Sequence, residues 1–144
     1  MKRLRLLLLV LGILFFASSL YSQEVIYEGE ENGVLMLTVY ENNIKKNEAV
    51  SQAVADAYFQ ILYRGIPGST LCKQPFFGTD ETEINAKRAY YDNLLSSGRL
   101  YSFVNYSVLS QYKKKVATVR LSINIDALRA DLEKKNLYRR LGLY

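Results

Sequence analysis

Residues 117–125 read ATVRLSINI, and the reading of this stretch decides the fold. Ala117, Val119, Leu121, Ile123 and Ile125 alternate with Thr118, Arg120, Ser122 and Asn124. A period of two sends the two sets to opposite faces of an extended chain. One apolar and one polar face mark a half-buried strand of an antiparallel sheet. The preceding stretch, residues 100–110 (LYSFVNYSVLS), is rich in aromatic and β-branched residues and is expected to form the other arm of a hairpin. The pattern selects the register. A two-residue turn at Tyr112 and Lys113 sets Val108 opposite Ala117, Tyr106 opposite Val119, Val104 opposite Leu121 and Leu100 opposite Ile125, all on the apolar face. An odd-length turn would put Asn105 and Ser107 there, so an even length is expected. The outward face then carries Tyr101, Phe103, Asn105, Arg120, Ser122 and Asn124, with Lys113, Lys114 and Lys115 at the hairpin tip.

Working outward, residues 25–27 form a short strand candidate and residues 28–33 (EGEENG) a turn built on Asn32-Gly33. Val34 to Tyr40 is a strand with apolar residues on both faces, the pattern of a strand that is central or covered on both sides. Asn42 and Asn43 are candidate caps for a helix from Glu48 to Arg64, whose Val50, Ala53, Val54, Ala57 and Ile61 share one face. Gly65 and Pro67 end it. An irregular stretch follows, residues 66–79, with Leu71, Phe76 and Phe77 as anchors. Asp80 and Glu83 resemble a capping box before a second helix over 81–97, with a stripe of Ile84, Arg88, Tyr91 and Leu95, Leu94 beside it, and a stop at Gly98. Asp126 is placed as the cap of a last helix, 127–135, facing inward through Leu128 and Leu132. The order ββααββα predicts a single α+β domain: an antiparallel sheet of three to four strands with two to three helices on one face.

The chain has 144 residues, 19 basic and 14 acidic, with no His and one Cys. Without His there is no His-dependent acid–base or nucleophile system and no His-ligated metal. With one Cys there is no internal disulfide. The first segment, MKRLRLLLLVLGILFFASSLYS, has basic residues, an apolar run and small polar residues in the order of a secretory signal. Its run from Leu6 to Ala17 is shorter than the roughly 20 residues of a spanning helix. The chain is therefore divided into a cleavable signal peptide, 1–22, and one domain, 23–144. The protein is expected in the periplasm or at the cell surface of a Gram-negative bacterium, touching membrane only through an uncleaved signal segment.

Removing the signal leaves 16 basic and 14 acidic residues, so the net +5 falls to +2 and gives no reason to expect nucleic acid as a partner. What remains is uneven. Residues 23–98 hold 6 basic and 11 acidic groups, whereas 99–144 hold 10 and 3.

Other motifs are weaker. Arg99, Tyr101, Phe103, Val104 and Tyr106 match an RNA-recognition strand in part, but the element order is wrong and export takes the chain away from RNA. Ser110 and Lys113 have the spacing of penicillin-recognising enzymes, but at a hairpin turn and without the Lys-Thr-Gly element. The acidic groups at 28–31 and 80–83 lack the alternating ligands of a calcium loop. No catalytic residue, metal ligand or cofactor is expected. Cys72 reads either as a buried small side chain or as a thiol able to pair with another chain.

Ala49, Ala53 and Ala57, then Phe103-Val104, the alternation from Val119 to Ile125 and Leu128-Arg129 through Leu132 resemble the N-terminal domain of flagellar assembly protein T and related surface lipoproteins. The ending YSQ of the first segment resembles signal peptides of Bacteroidetes. No lipid-attachment Cys is present. The resemblance implies a non-enzymatic accessory domain of the cell envelope. The expected partner is an envelope protein or a second copy, with a glycan or small molecule as the alternative ligand. The residues expected to carry binding are Tyr101, Phe103, Asn105, Arg120, Ser122, Asn124 and Lys113 to Lys115.

Overall fold

The computed structural model describes residues 23–78 and 81–138. The proposed signal segment lies outside these residues, as do Asp80 and the end of the tail. Four strands, β1 (Glu24–Glu31), β2 (Val34–Asn42), β3 (Val104–Lys113) and β4 (Val116–Asn124), form one antiparallel sheet in the order β1-β2-β4-β3. Among the described residues three helices, α1 (Ala49–Phe59), α2 (Ile84–Ser97) and α3 (Ile125–Lys134), complete the α+β order ββααββα. Leu35, Leu37 and Val39 of β2 and Ala117, Val119, Leu121 and Ile123 of β4 are buried in one cluster with Ala49, Ala53, Ala57, Leu94, Leu128 and Leu132 of the helices. All three helices therefore cover the same face of the sheet.

β4 follows its sequence pattern. Its odd-numbered residues from Ala117 to Ile123 are fully buried, and Ile125 opens α3 in the core. The β3–β4 hairpin keeps an even turn, but that turn is Lys114-Lys115, both at positive φ, and not Tyr112-Lys113. Strand β3 also begins later and carries two bulges. Residues 99–103 form a 3-10 turn, whose three-residue repeat sends Leu100 and Phe103 inward together. Tyr58 on α1 locks this turn by donating its hydroxyl to the Leu100 carbonyl at 2.6 Å. Beyond it, register shifts between Val104 and Tyr106 and between Leu109 and Gln111 each add one residue to β3. The inward positions become Val104, Ser107, Leu109 and Tyr112, opposite Ile123, Leu121, Val119 and Ala117. Strict alternation through this arm would have required no bulge.

The β1–β2 hairpin is longer than expected, with residues 28–31 inside the strand. Its turn is Asn32-Gly33, both residues at positive φ, as a tight hairpin turn demands. A side chain at Gly33 would collide with the Asp126 carboxylate, because the Gly33 carbonyl accepts from the amides of Ile125 and Asp126 at the start of α3. Asn124, and not Asp126, caps α3, accepting from the Ala127 amide at 3.0 Å. Neither Asn42 nor Asn43 caps α1: the capping residue is Glu48, with no side-chain bond. Glu83, in the left-handed conformation, precedes α2. That helix buries Lys87, Tyr90 and Leu94, so the core-facing stripe is rotated from the one read off Ile84 and Leu95, which are exposed. Aromatic packing explains the rotation: Tyr90 packs on Phe77 and donates to Asp131 at 2.7 Å.

Helix α1 ends in a wide turn, Gln60–Arg64, closed by Gly65 at φ 81. The amides of Phe76 and Phe77 bond the carbonyls of Ile61 and Leu62, which ties the long loop back to the helix end. The start of the loop is held by Glu30. Its carboxylate accepts from the hydroxyls of Ser69 and Thr70 and from the amides of Thr70 and Leu71. Burial alone would raise the Glu30 pKa, but these bonds outweigh it and hold the group below its ordinary value. Cys72 is fully inside, beside Ser69, and burial pushes its thiol up to about 11. A thiol that stays protonated and shielded is a packing residue, which decides between its two readings.

A charged group breaks the apolar pattern of the inner face of β2. Glu41 follows Val39 on β2, is 5% exposed, and leaves one carboxyl oxygen without a partner. Burial, together with a hydrogen bond and repulsion from Asp56 on α1, raises its pKa to about 9. Gln52 donates to the same Asp56 at 3.0 Å. Folded Glu41 thus keeps its proton at neutral pH, whereas the unfolded chain releases it near 4.5. Folding takes up a proton across that interval, so the contribution is fully present below about pH 4.5 and is lost as pH rises toward 9. Urea midpoints should fall over this range, with a steepest slope on the order of 1 kcal/mol per pH unit from this group. Glu41→Gln should flatten the slope and make the variant the more stable chain at pH 8–9.

Candidate interaction surface

Among the described residues, no helix covers the second face of the sheet. Register places Glu24, Ile26 and Glu31 of β1 on it, next to Tyr40, Thr38 and Val34 of β2. The β2–β4 ladder adds Thr118, Arg120, Ser122 and Asn124, and the β3–β4 ladder adds Gln111, Val108 and Tyr106. None of these residues belongs to the buried core cluster. Val108 is 51% and Tyr106 42% exposed. An apolar band, Ile26, Met36, Tyr40, Tyr106 and Val108, surrounds Arg120, whose neighbours across the ladders are Thr38 and Val108.

The nine residues expected to carry binding are partly assembled here. Arg120 and Asn105 are exposed on β4 and β3, and Asn105 donates to the Ser122 hydroxyl at 3.4 Å. Ser122 is on this face but only 3% exposed, shielded by its neighbours. Asn124 spends its carbonyl on the α3 cap. Lys113, Lys114 and Lys115 are exposed at the tip. Tyr101 is 46% exposed, but on the 3-10 turn and not on the sheet.

Phe103 is a correction: it is 9% exposed and part of the core, because the 3-10 turn reverses the parity assumed for a strand. In its place the bulges turn Tyr106 and Val108 outward. Strict alternation puts both on the inner face, and only the positions of the bulges reveal the switch.

The edges of the sheet differ from its face. β1 has a register shift between Tyr27 and Gly29 and carries Glu24, Glu28 and Glu31, while β3 has its two bulges and Lys113. Bulged, charged edges resist pairing with a further strand.

Elsewhere, a cleft of about 120 Å³ lies between Tyr63, Phe77, Gly78, Ile84, Lys87 and Arg88. Ligand pockets usually measure about 300–1,000 Å³, so this cleft admits no more than a small group. Among the described residues no three His, Cys, Asp or Glu side chains are placed to hold a metal ion, and no helix is long and apolar enough to cross a membrane.

The reassignment has a direct check. Phe103→Ala should lower unfolding stability by about 3–5 kcal/mol, as for a buried aromatic. Tyr101→Ala should stay within about 0.5 kcal/mol of wild type. Equal losses in urea titrations would contradict the 3-10 turn.

A scan of protein-family models, a search of curated proteins and a search of solved structures each found no match to this chain.

Proposed function

We propose that this chain is an exported, non-enzymatic accessory domain of the cell envelope, and that the uncovered sheet face binds another envelope protein. The observation that carries the reading is that face: four strands wide, bare of helices among the described residues, with exposed Tyr106 and Val108 beside Arg120. Aromatic residues and Arg on a half-apolar surface supply the anchors typical of protein interfaces. The signal-like first segment supports an envelope location, and the resemblance to envelope accessory domains agrees with it. The 120 Å³ cleft between Tyr63 and Arg88 is smaller than a usual ligand pocket, so it does not itself support a glycan or small-molecule role.

The test is a double variant, Tyr106→Ser with Val108→Ser. Both side chains are on the surface, so the melting temperature should stay within a few degrees of wild type. Cross-linking in intact cells followed by mass spectrometry should show the wild-type adduct and its loss in the variant. An adduct of unchanged yield would remove this face from the proposal.

A further inference from the structure

The partner of that face can be specified further, on the premise that the face is an interaction surface. We infer that it is self-complementary and that its occupant is a second copy of this chain, packed sheet against sheet about a two-fold axis parallel to the strands.

Charge selects this arrangement. On the outward register, β1 contributes Glu24 and Glu31, while the opposite half contributes Arg120 on β4 and Lys113 on β3. One side of the face is acidic and the other basic. Glu24 pairs with Tyr40, which pairs with Thr118; Lys113 pairs with Val116, two residues away on β4. Glu24 and Lys113 therefore lie at the same end of the sheet, on opposite edges. A two-fold axis along the strands keeps that end in place and exchanges the edges. It lays β1 of one copy across from β3 of its partner, so Glu24 meets Lys113 twice in the dimer. Arg120, one strand in from β3, is long enough to reach toward the same acidic edge. An axis perpendicular to the strands would instead lay β1 on β1 with its ends exchanged, and so place Glu24 against Glu31. Like charges across an interface are strongly unfavourable, so only one of the two face-to-face arrangements survives.

The size of the face fits a reversible dimer. Four strands about 4.8 Å apart and about nine residues long at about 3.3 Å each span roughly 600 Å² per copy. The total, about 1,200 Å², lies at the low end of specific interfaces and belongs to a weak association. The apolar band of Ile26, Met36, Tyr40 and Val108 would lie at its centre and the charge pairs at its rim. The bulged, charged edges direct association onto the face and away from strand addition.

The experiment is sedimentation velocity on protein purified after expression of the full chain, with its N-terminus read by mass spectrometry. Concentrations from about 1 to 500 µM cover a weak interface of this size. A concentration-dependent dimer that weakens with added salt is expected. Glu24→Lys and Lys113→Glu should each raise the dimer dissociation constant about tenfold or more, because each places like charges together twice. An equimolar mixture of the two single variants should recover a heterodimer, in which both contacts are again opposite in sign. The double variant should recover the homodimer. A wild type that stays monomeric at the highest concentration overturns the inference. So does a dimer indifferent to both reversals, or one found only in chains that retain residues 1–22. These failures leave the binding of another protein to be judged separately by the Tyr106 and Val108 cross-linking result.

Discussion

Strand β4 is the constraint on which the remaining structure depends. It lies between β2 and β3, and its unbroken alternation commits every neighbour to a side. With Ala117, Val119, Leu121 and Ile123 fully buried, the three helices have one place to bury their own apolar stripes. Ile125 carries the alternation into the first turn of α3, and the Gly33 carbonyl binds the amides of that turn. The β1–β2 turn is thereby fastened to the end of β4. Removing one ladder would expose both the core and the start of a helix, so the sheet and α3 belong to one cooperative unit.

Small residues set how closely the second layer approaches. Ala49, Ala53 and Ala57 bring α1 against the sheet, and their lack of side-chain volume leaves room for Tyr58 to reach the Leu100 carbonyl. That bond fixes the 3-10 turn and with it the point at which β3 begins. Ion pairing works at the other end of the same layer. Arg99 contacts both carboxylate oxygens of Asp131, at 2.9 and 3.0 Å, while Tyr90 donates to the same group. Asp131 thus joins α2, the 3-10 turn and α3, with the single Arg99 nitrogen Nη2 reaching both of its oxygens.

The parts of the fold legible in the sequence are those where one period runs without interruption. β4, β2 and α1 could be read because their patterns span a whole element. The arm from 100 to 113 could not, because three devices interrupt it: a five-residue 3-10 turn and two single-residue bulges. Each changes which residues face inward; Gly98, the cap of the 3-10 turn, reads equally as the end of the preceding helix, and neither bulge has a Gly or Pro to announce it. Alternation therefore predicts Phe103 on the surface and Tyr106 in the core, the reverse of their places. The α2 stripe failed for a different reason. Tyr90 is a poor guide to burial by residue type, yet it bridges Phe77 and Asp131, so tertiary contacts and not periodicity rotate the helix. Glu41 is the converse case: its place on the inner face follows from counting along β2, but its raised pKa depends on Asp56, 15 residues away on another element.

The same bulges that defeated the sequence pattern give the open face its character. Without them Tyr106 and Val108 would point into the core and the outward side of β3 would be Asn105, Ser107 and Leu109. An antiparallel sheet needs only one buried face, so a polar second face would have cost nothing in stability. Instead the bulges bring an aromatic and a β-branched residue out beside Arg120, at more than 40% exposure each. They also bend the edge strand, which disfavours pairing along its backbone. One local device therefore both blunts the edge and equips the face. That combination directs association to side chains on a surface and away from an added strand. Side-chain recognition can be tuned by charge, and the acidic β1 and basic β3 sides of this sheet provide the charges.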